Sequence, residues 1–171
     1  MNNNNYDIPA YLEQMAQQLR AHMAENKIEK PLMVGIHSAG VWLANILHKK
    51  LAIKASLAEL NTSFYRDDFN KIGLHGQIKP SKMPVSVENK HIILVDDVLY
   101  TGRTIRAAMN ELFDYGRPAS ITLVVLIDRG GRELPISAQI IGFKQQLDAN
   151  SDFKLSDSES LELSIVKKIN E

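Results

Sequence analysis

The sequence predicts an α/β protein in which a central, mostly parallel sheet is flanked by helices. Short apolar segments typical of strands alternate with amphipathic helical segments over most of the chain, and such alternation produces parallel strands joined by right-handed crossovers. The chain has 171 residues, a length that suits one domain with one sizeable core. We therefore expect a single domain over residues 1–171, without an internal repeat.

The first predicted element is a helix that follows a short polar tail. Residues 1–6 contain a run of four asparagines and are expected to be disordered. Asp7 and Pro9 are typical of a helix start. The apolar residues that follow recur with a helical period: Leu12, Met15, Ala16, Leu19 and Met23.

The next segments predict a strand, a helix, a second strand and a flap. Residues 31–36 are apolar enough for a short buried strand, and a helix begins after Gly40. Residues 57–60 are a candidate strand. Residues 61–88 are polar, contain two glycines and two prolines and show little periodicity. We expect them to form a flexible flap that is long enough to include a β-hairpin.

The second half of the chain continues the alternation. Residues 91–95 and 121–127 are apolar and typical of buried strands. Between them Gly116 and Pro118 end a helix, and residues 137–142 are expected to be extended. The apolar stripe of that helix is Ile105, Ala108, Met109 and Leu112. A period-two alternation predicts a C-terminal edge strand of the same sheet: Leu161, Leu163 and Ile165.

Composition argues against several kinds of site and partner. Cysteine is absent and the five histidines are scattered, so we expect no disulfide and no structural metal. Twenty basic residues balance twenty acidic ones, whereas sequence-independent nucleic-acid binders usually carry a basic excess. No apolar run approaches the roughly 20 residues of a membrane span, and the N-terminus lacks a secretory pattern. We therefore expect a cytoplasmic protein with no membrane partner.

The strongest functional signal is the turn after residues 91–95. Asp96 and Asp97 stand at the carboxyl end of this strand, where ligands bind in doubly wound sheets. Residues 100–104 open a helix, and the unpaired N–H groups of a helix N-terminus favour a phosphate. The two carboxylates can accept hydrogen bonds from vicinal ribose hydroxyls. The segment is therefore suited to both ends of a ribose 5-phosphate. An Asp-Asp pair alone would instead favour a capped helix whose aspartates are solvated or paired.

The complete pattern over residues 92–104, IILVDDVLYTGRT, resembles the signature of type I phosphoribosyltransferases. It differs from a Walker loop, which needs glycine and lysine at other spacings. The resemblance implies the type I phosphoribosyltransferase fold and the binding of 5-phosphoribosyl diphosphate.

Three further motifs narrow the resemblance to the PyrR family. They are residues 65–68 (YRDD), 116–118 (GRP) and 128–135 (DRGGRELP), and the similarity runs from about the first helix to Gly142. This family contains bifunctional pyrimidine-operon attenuators with uracil phosphoribosyltransferase activity. The resemblance implies a pentosyltransferase that converts uracil and 5-phosphoribosyl diphosphate to UMP and diphosphate, with Mg²⁺ as cofactor.

The resemblance also implies roles for individual residues. Asp96 and Asp97 would hold the ribose hydroxyls, and Mg²⁺ would be held mainly by the substrate beside them, with no direct protein ligands. Arg66, which stands with Tyr65 at the foot of the flap, would reach the diphosphate when the flap closes and excludes water. Arg129, after the following strand, would lie near the base.

Two loops would bind the phosphate groups. The 5-phosphate loop consists of Tyr100, Thr101, Gly102, Arg103 and Thr104. The diphosphate loop consists of Ser38, Ala39 and Gly40. Tyr100 also favours a pyrimidine, because purine-salvage relatives that resemble hypoxanthine phosphoribosyltransferase carry an aspartate at this point of the motif.

Several positions depart from the PyrR pattern. The family's diphosphate loop usually reads Thr-Arg-Gly, with arginine where Ala39 stands. Histidine and arginine are usual at the positions of Gly131 and Ser137, on a surface implicated in RNA binding. Residues 143–147, FKQQL, replace a segment that helps cover the base. Together with the net charge of zero, the missing basic groups make RNA a disfavoured partner.

Three functional hypotheses remain at this point. The favoured one is an active uracil phosphoribosyltransferase. The others are an RNA-binding attenuator that responds to UMP or UTP, and a binding-only sensor of 5-phosphoribosyl diphosphate or a nucleotide. A homo-oligomer, dimer or higher, is implied by the resemblance. Outside the motifs, we expect Trp42 in the core or an interface, His37 in contact with ligand or solvent, and Arg132 in a turn ion pair with Glu133.

Overall fold

The computed structural model describes residues 6–62, 80–156 and 161–167. Within these ranges three helices and seven strands follow one another along the chain. They are α1 (Ile8–Glu25), β1 (Leu32–Ile36), α2 (Ala39–Lys50), β2 (Ala58–Leu60), β3 (His91–Leu99), α3 (Arg103–Asp114), β4 (Ser120–Asp128), β5 (Ile140–Lys144), β6 (Ser151–Ser156) and β7 (Glu162–Lys167). In this part of the chain no helix is long and apolar enough to cross a membrane.

Five strands form one parallel sheet in the order β2-β1-β3-β4-β5. The central strands β3 and β4 are buried along most of their length, as strands are when helices cover both faces of a sheet. The apolar stripes of α1 and α2 pack on one face, and that of α3 packs on the other. The prediction of a central parallel sheet flanked by helices is confirmed.

The first helix begins as predicted, but the folded domain starts earlier. The carboxylate of Asp7 accepts a hydrogen bond from the Ala10 N–H at 3.0 Å, which caps α1. Tyr6, which we expected in the tail, stacks on Phe143 with ring centroids 5.3 Å apart. Its hydroxyl lies 2.9 Å from Gln145 Oε1. Tyr6 is therefore part of the fold, and the rest of the predicted tail lies outside the described residues.

The predicted flap falls mostly on residues 63–79, outside the described part of the chain. Tyr65 and Arg66 lie there as well. The end of the predicted flap is bound to the domain, because Lys82 and Glu59 exchange backbone hydrogen bonds of 2.7 and 2.9 Å and Val87 is buried. The described end of the predicted flap is therefore anchored to the domain, and the rest of the flap stays a prediction.

The predicted C-terminal edge strand is wrong. The alternation is real, but β7 pairs with β6 in a separate antiparallel two-stranded sheet, and β5 forms the edge of the main sheet. Phe153 and Leu155 of β6, with Leu161, are buried against the core that contains α1. A period-two pattern shows that a segment is extended with one buried face, but it carries no information about the partner strand.

Candidate active site

The predicted site residues that the structure describes lie at the carboxyl ends of three neighbouring strands. Strand register pairs Gly35 of β1 with Val95 of β3, and Leu99 of β3 with Asp128 of β4. The diphosphate loop therefore follows β1 directly beside Asp96 and Asp97. The 5-phosphate loop follows β3 next to the segment that leaves β4.

The diphosphate loop lies against β3 because position 40 is glycine. A Cβ on Gly40 would lie 2.6 Å from the Val95 carbonyl oxygen and 3.3 Å from Asp96 Oδ1. Any larger residue would push the N-terminus of α2 off the strand. Ser38 is the N-cap of α2, and the peptide bond between His37 and Ser38 is cis. Ala39 is half-buried at the first position of the helix.

His37 contacts a protein side chain, an arrangement that neither of our two expectations covered. Its ring is 11% exposed, and Nε2 lies 2.8 Å from Glu59 Oε2. The contact lacks hydrogen-bond geometry and is an ion pair only when the ring is protonated. Trp42 is half-buried against the core, within the range that we expected.

The two aspartates occupy different environments. Asp96 is only 4% exposed, and its Oδ1 accepts a hydrogen bond from the Asp97 N–H at 3.0 Å. Asp97 is half-buried. One carboxylate is thus held firmly against the diphosphate loop, while the other lies nearer the surface of the same strand end.

The 5-phosphate loop leads into a helix, as the motif predicts. Gly102 has a φ of +93° and is the N-cap of α3, a backbone conformation that favours glycine. Thr101 Oγ1 accepts a hydrogen bond from the Arg103 N–H at 3.2 Å. Thr104 lies in the first turn, half-buried. The first N–H groups of such a helix lack intrahelical acceptors and suit an anion.

Arg132 supports this loop, a role that sequence reasoning missed. Its guanidinium donates to the carbonyl oxygens of Leu99 and Tyr100 at 3.1 and 2.6 Å. It also donates to the Ile136 carbonyl at 3.0 Å and to Asp128 Oδ1 at 2.5 Å. One side chain therefore ties the backbone of the 5-phosphate loop to the segment that follows β4.

The expected ion pair between Arg132 and Glu133 is wrong. Glu133 instead pairs with Arg103 of the 5-phosphate loop, with Oε2 and Nε 2.8 Å apart. Its N–H also donates to the Thr101 carbonyl at 3.0 Å. The adjacent side chains of Arg132 and Glu133 point in different directions. Arg132 therefore binds the carbonyl oxygens of Leu99 and Tyr100, and Glu133 pairs with Arg103. The segment had been singled out as a motif, but its partners were not visible in the sequence.

Arg129 is enclosed by protein groups. Its side chain is 2% exposed and donates to Asp152 Oδ1 at 2.7 Å and to the Asp148 carbonyl at 3.1 Å. Its guanidinium carbon lies 4.2 Å from the centroid of the Tyr100 ring, a cation–π distance. Arg129 was expected near the base, and in the structure its guanidinium lies over one face of the Tyr100 ring. A direct contact between Arg129 and the base stays a prediction.

A cavity of about 350 Å³ opens beside the 5-phosphate loop, at the carboxyl ends of β4 and β5. It is lined by Asp128, Gly130, Gly131, Arg132, Lys144, Gln145 and Gln146. Burial alone would raise the pKa of Asp128. Hydrogen bonds from Arg132 and the Gly130 N–H, with the charges of Arg132 and Lys144, outweigh burial and hold that pKa below its ordinary value.

No group of three or more His, Cys, Asp or Glu residues is arranged to hold a metal ion within the described ranges. Asp96 and Asp97 offer carboxylate oxygens, which are the ligand type that Mg²⁺ prefers. These two carboxylates would suit a cation that is held mainly by a phosphorylated substrate.

Comparison with known proteins agrees with this geometry at the level of the fold. Residues 4–157 match the phosphoribosyl transferase domain family. The hypoxanthine phosphoribosyltransferase of Trypanosoma cruzi is 16% identical with a TM-score of 0.68, over 95% of this chain and 93% of that one. A ternary substrate complex of a variant of that enzyme is 20% identical with a TM-score of 0.69, over 94% and 90%. The chain is a type I phosphoribosyltransferase.

Curated relatives are much more similar than these structures. A protein from Nitrosococcus oceani is 51% identical over 161 residues, which cover 93% of this chain and 91% of the relative. One from Pseudomonas paraeruginosa is 54% identical over 144 residues, which cover 84% and 85%. Both are named Bifunctional protein PyrR. The chain belongs to the PyrR family, as the motifs indicated.

Proposed function

We propose that this protein converts uracil and 5-phosphoribosyl diphosphate to UMP and diphosphate. The observation that carries the proposal is the convergence of two phosphate-binding loops on the Asp96–Asp97 pair. Gly40 brings the diphosphate loop within van der Waals distance of Asp96, and the 5-phosphate loop leaves the same strand three residues after Asp97. A ribose with phosphates on both C1 and C5 matches this arrangement.

Each part has a defined task in the proposed reaction. The two aspartates accept hydrogen bonds from the ribose hydroxyls and face the positive charge that develops on the sugar. The N-terminus of α3 binds the 5-phosphate, and the N-terminus of α2 binds the departing diphosphate. Both loops are held by backbone contacts, so the sugar is positioned before reaction at little entropic cost. Arg66, beside Tyr65 at the foot of the predicted flap, keeps its expected role at the diphosphate.

The remaining expectations belong to the same proposal. Mg²⁺ would be bound mainly by the diphosphate of the substrate and would neutralise its charge, with Asp96 and Asp97 nearby. The protein would act in the cytoplasm as a homo-oligomer. The resemblance to the PyrR family is what motivates these points.

Diphosphate release in the presence of 5-phosphoribosyl diphosphate, Mg²⁺ and a panel of nucleobases tests the activity. We expect turnover with uracil and little with hypoxanthine or orotate. Asp97→Asn should lower kcat by about a hundredfold or more, as expected when one electrostatic contact to a transition state is lost. Asp114→Asn, a control on the exposed end of α3, should leave it unchanged. Turnover with hypoxanthine or orotate but not uracil would contradict the proposal.

A second function, RNA binding, is favoured by one observation only, the word bifunctional in the names of both relatives. A gel shift with the leader transcript of a pyrimidine operon, with and without UMP, tests it. A UMP-dependent shift at low salt would support an attenuator function, and the absence of any shift would exclude RNA binding as a function of this protein. Saturable binding of 5-phosphoribosyl diphosphate without product would instead indicate a binding-only sensor.

A further inference from the structure

His37 is the last residue that pairs with the sheet before the diphosphate loop begins. Its backbone N–H donates to the Leu60 carbonyl at 2.8 Å, which extends the pairing of β1 with β2 by one residue. Strand alternation places its side chain on the same face as Gly35, the face on which α2 packs. The ring therefore lies at the start of the diphosphate loop, on the side of the helix whose N-terminus we assign to the diphosphate.

The ring of His37 lies against Glu59 of β2. Nε2 is 2.8 Å from Glu59 Oε2, and the two side chains are 11% and 27% exposed. Nε2 is itself buried and has no hydrogen-bond partner among the described residues. Because the two atoms are close without hydrogen-bond geometry, their attraction is mainly between charges and requires a protonated ring. The contact is thus a charge-dependent tie between the start of the loop and β2.

Glu59 presents its carboxylate from a backbone that is paired on both sides. It lies opposite Gly35 in the sheet register, and it exchanges backbone hydrogen bonds of 2.9 and 2.7 Å with Lys82 on its other side. Among the described residues Glu59 is the only acid within ion-pair distance of the His37 ring. The other described charged groups at this end of the neighbouring elements are the exposed Lys82 and, across β1, Asp96 and Asp97.

The diphosphate loop itself carries no charged side chain. Ser38, Ala39 and Gly40 are uncharged, and so are Val41 and Trp42 in the first turn of α2. A departing diphosphate is a polyanion, and the N–H groups of a helix N-terminus offer only partial positive charge. The neighbouring histidine ring, when protonated, supplies a full positive charge at the start of this loop.

We propose that His37, held by Glu59, is a positioning residue for the departing diphosphate, an inference that rests on the proposed function. The protonated ring fixes the start of the loop on β2, so that the N–H groups at the N-terminus of α2 point at the anion. The loop backbone binds the diphosphate, and His37 acts through it. An anion near the ring in turn favours the protonated form, and such linkage is reciprocal. Diphosphate binding is therefore coupled to proton uptake at His37.

Calorimetric titration of the full-length protein with inorganic diphosphate and Mg²⁺ tests the inference. His37→Gln keeps a polar side chain without the charge and should weaken diphosphate binding about tenfold, as expected for a lost charge-assisted contact. Glu59→Gln, which leaves the ring in place, should weaken binding in the same direction, and His37→Lys should recover most of the affinity. UMP carries no diphosphate, so its affinity should match wild type in all three variants.

Proton uptake separates this role from a purely structural one. Titrations in two buffers of different ionisation enthalpy at about pH 7, where histidine side chains exchange protons, give the number of protons taken up on binding. Proton exchange by diphosphate itself is common to all variants and cancels, and we expect wild type to take up more protons than His37→Gln. His91→Gln is the matched control and should behave as wild type. His91 is a half-buried histidine at the other end of the sheet, with Nδ1 2.8 Å from Ser120 Oγ.

The outcomes distinguish this inference from the proposed function. If His37→Gln binds diphosphate within about twofold of wild type, less than the effect of one lost hydrogen bond, and takes up as many protons, the inference is wrong. It is also wrong if wild type does not bind diphosphate. If His37→Gln loses UMP and diphosphate binding alike, its fold is damaged, and Glu59→Gln decides by the same criteria. If wild type binds diphosphate but makes no UMP, the proposed function fails, and the comparison of variants still decides the role of His37.

Discussion

Asp128 and Arg132 form an ion pair that connects the end of β4 to the 5-phosphate loop. The carboxylate fixes the guanidinium at 2.5 Å, and the guanidinium in turn holds the carbonyl oxygens of Leu99 and Tyr100. Charge-assisted contacts of this kind are stronger than neutral ones. A group that lines the cavity at the carboxyl ends of β4 and β5 therefore also sets the backbone of the 5-phosphate loop.

The lowered pKa of Asp128 predicts a pH-dependent stability. Because the carboxylate is favoured in the folded state, its contribution is complete above the unfolded pKa of about 3.9. It is lost as pH falls through the lower folded value. The difference in free energy of unfolding between wild type and Asp128→Asn should be constant above about pH 5 and shrink below pH 4.

Urea denaturation at a series of pH values checks this prediction. In an Arg132→Gln background the shrinkage should be smaller, because the main favourable partner of the carboxylate has been removed. A wild-type difference that stays constant down to pH 3 would show that Asp128 titrates with an ordinary pKa.

At the level of elements, the packing of α2 against β3 determines where the diphosphate loop lies. A helix N-terminus can bind a phosphate only when it points at the site, and here Gly40 sets that direction through its contact with Val95. Gly35 works in the same way, because a Cβ there would lie 2.7 Å from the Val41 Cα. Two glycines thus allow the strand and the helix to approach closely.

Gly40→Ala should therefore impair stability and binding together. We expect a loss of about 1–3 kcal/mol in the free energy of unfolding from overpacking, and a weaker affinity for 5-phosphoribosyl diphosphate as the loop moves from Asp96. Gly40→Val should be worse on both measures. Denaturation and calorimetric titration check this, and an alanine variant with wild-type stability and affinity would contradict the proposed role of the close contact.

At the level of the whole molecule, the β6–β7 hairpin is tied to the sheet through Arg129. The guanidinium contacts Asp152 and the Asp148 carbonyl on one side and the Tyr100 ring on the other. Nε of Arg129 is buried without a hydrogen-bond partner among the described residues. The buried positive charge of Arg129 is therefore compensated mainly by the carboxylate of Asp152.

Asp152→Ala should destabilise the fold by about 2 kcal/mol, because it removes the carboxylate partner of a buried cation. It should also raise the KM for 5-phosphoribosyl diphosphate, since Arg129 orders Tyr100. Glu13→Ala breaks the exposed ion pair with Lys50 and should change little. Thermal denaturation and kinetics compare the two variants, and equal small effects would mean that the hairpin is held by apolar packing alone.

The sequence predicts much of this molecule where the signal is local. The capped start of α1 at Asp7, the strand that ends at Asp96 and the helix that opens at Gly102 all depend on residues within a few positions of one another. Periodicity and capping report such short-range physics directly. Tyr6 and residues 82–88 were expected in flexible segments. The structure anchors them through contacts with residues far away in the chain, which short-range patterns do not report.

The sequence by itself determined the parallel sheet, because alternating strands and helices follow from hydrophobic periodicity. It also contains the short motifs whose resemblance to known proteins indicated the PyrR family, since each motif consists of residues adjacent in the chain. Only the tertiary structure decided that Arg132 binds the backbone of the 5-phosphate loop and does not form an ion pair with Glu133. It also decided that the Arg129 guanidinium lies against the Tyr100 ring, and that β7 pairs with β6. Each depends on groups more than five positions apart or on the direction of a side chain, and that direction is set by packing.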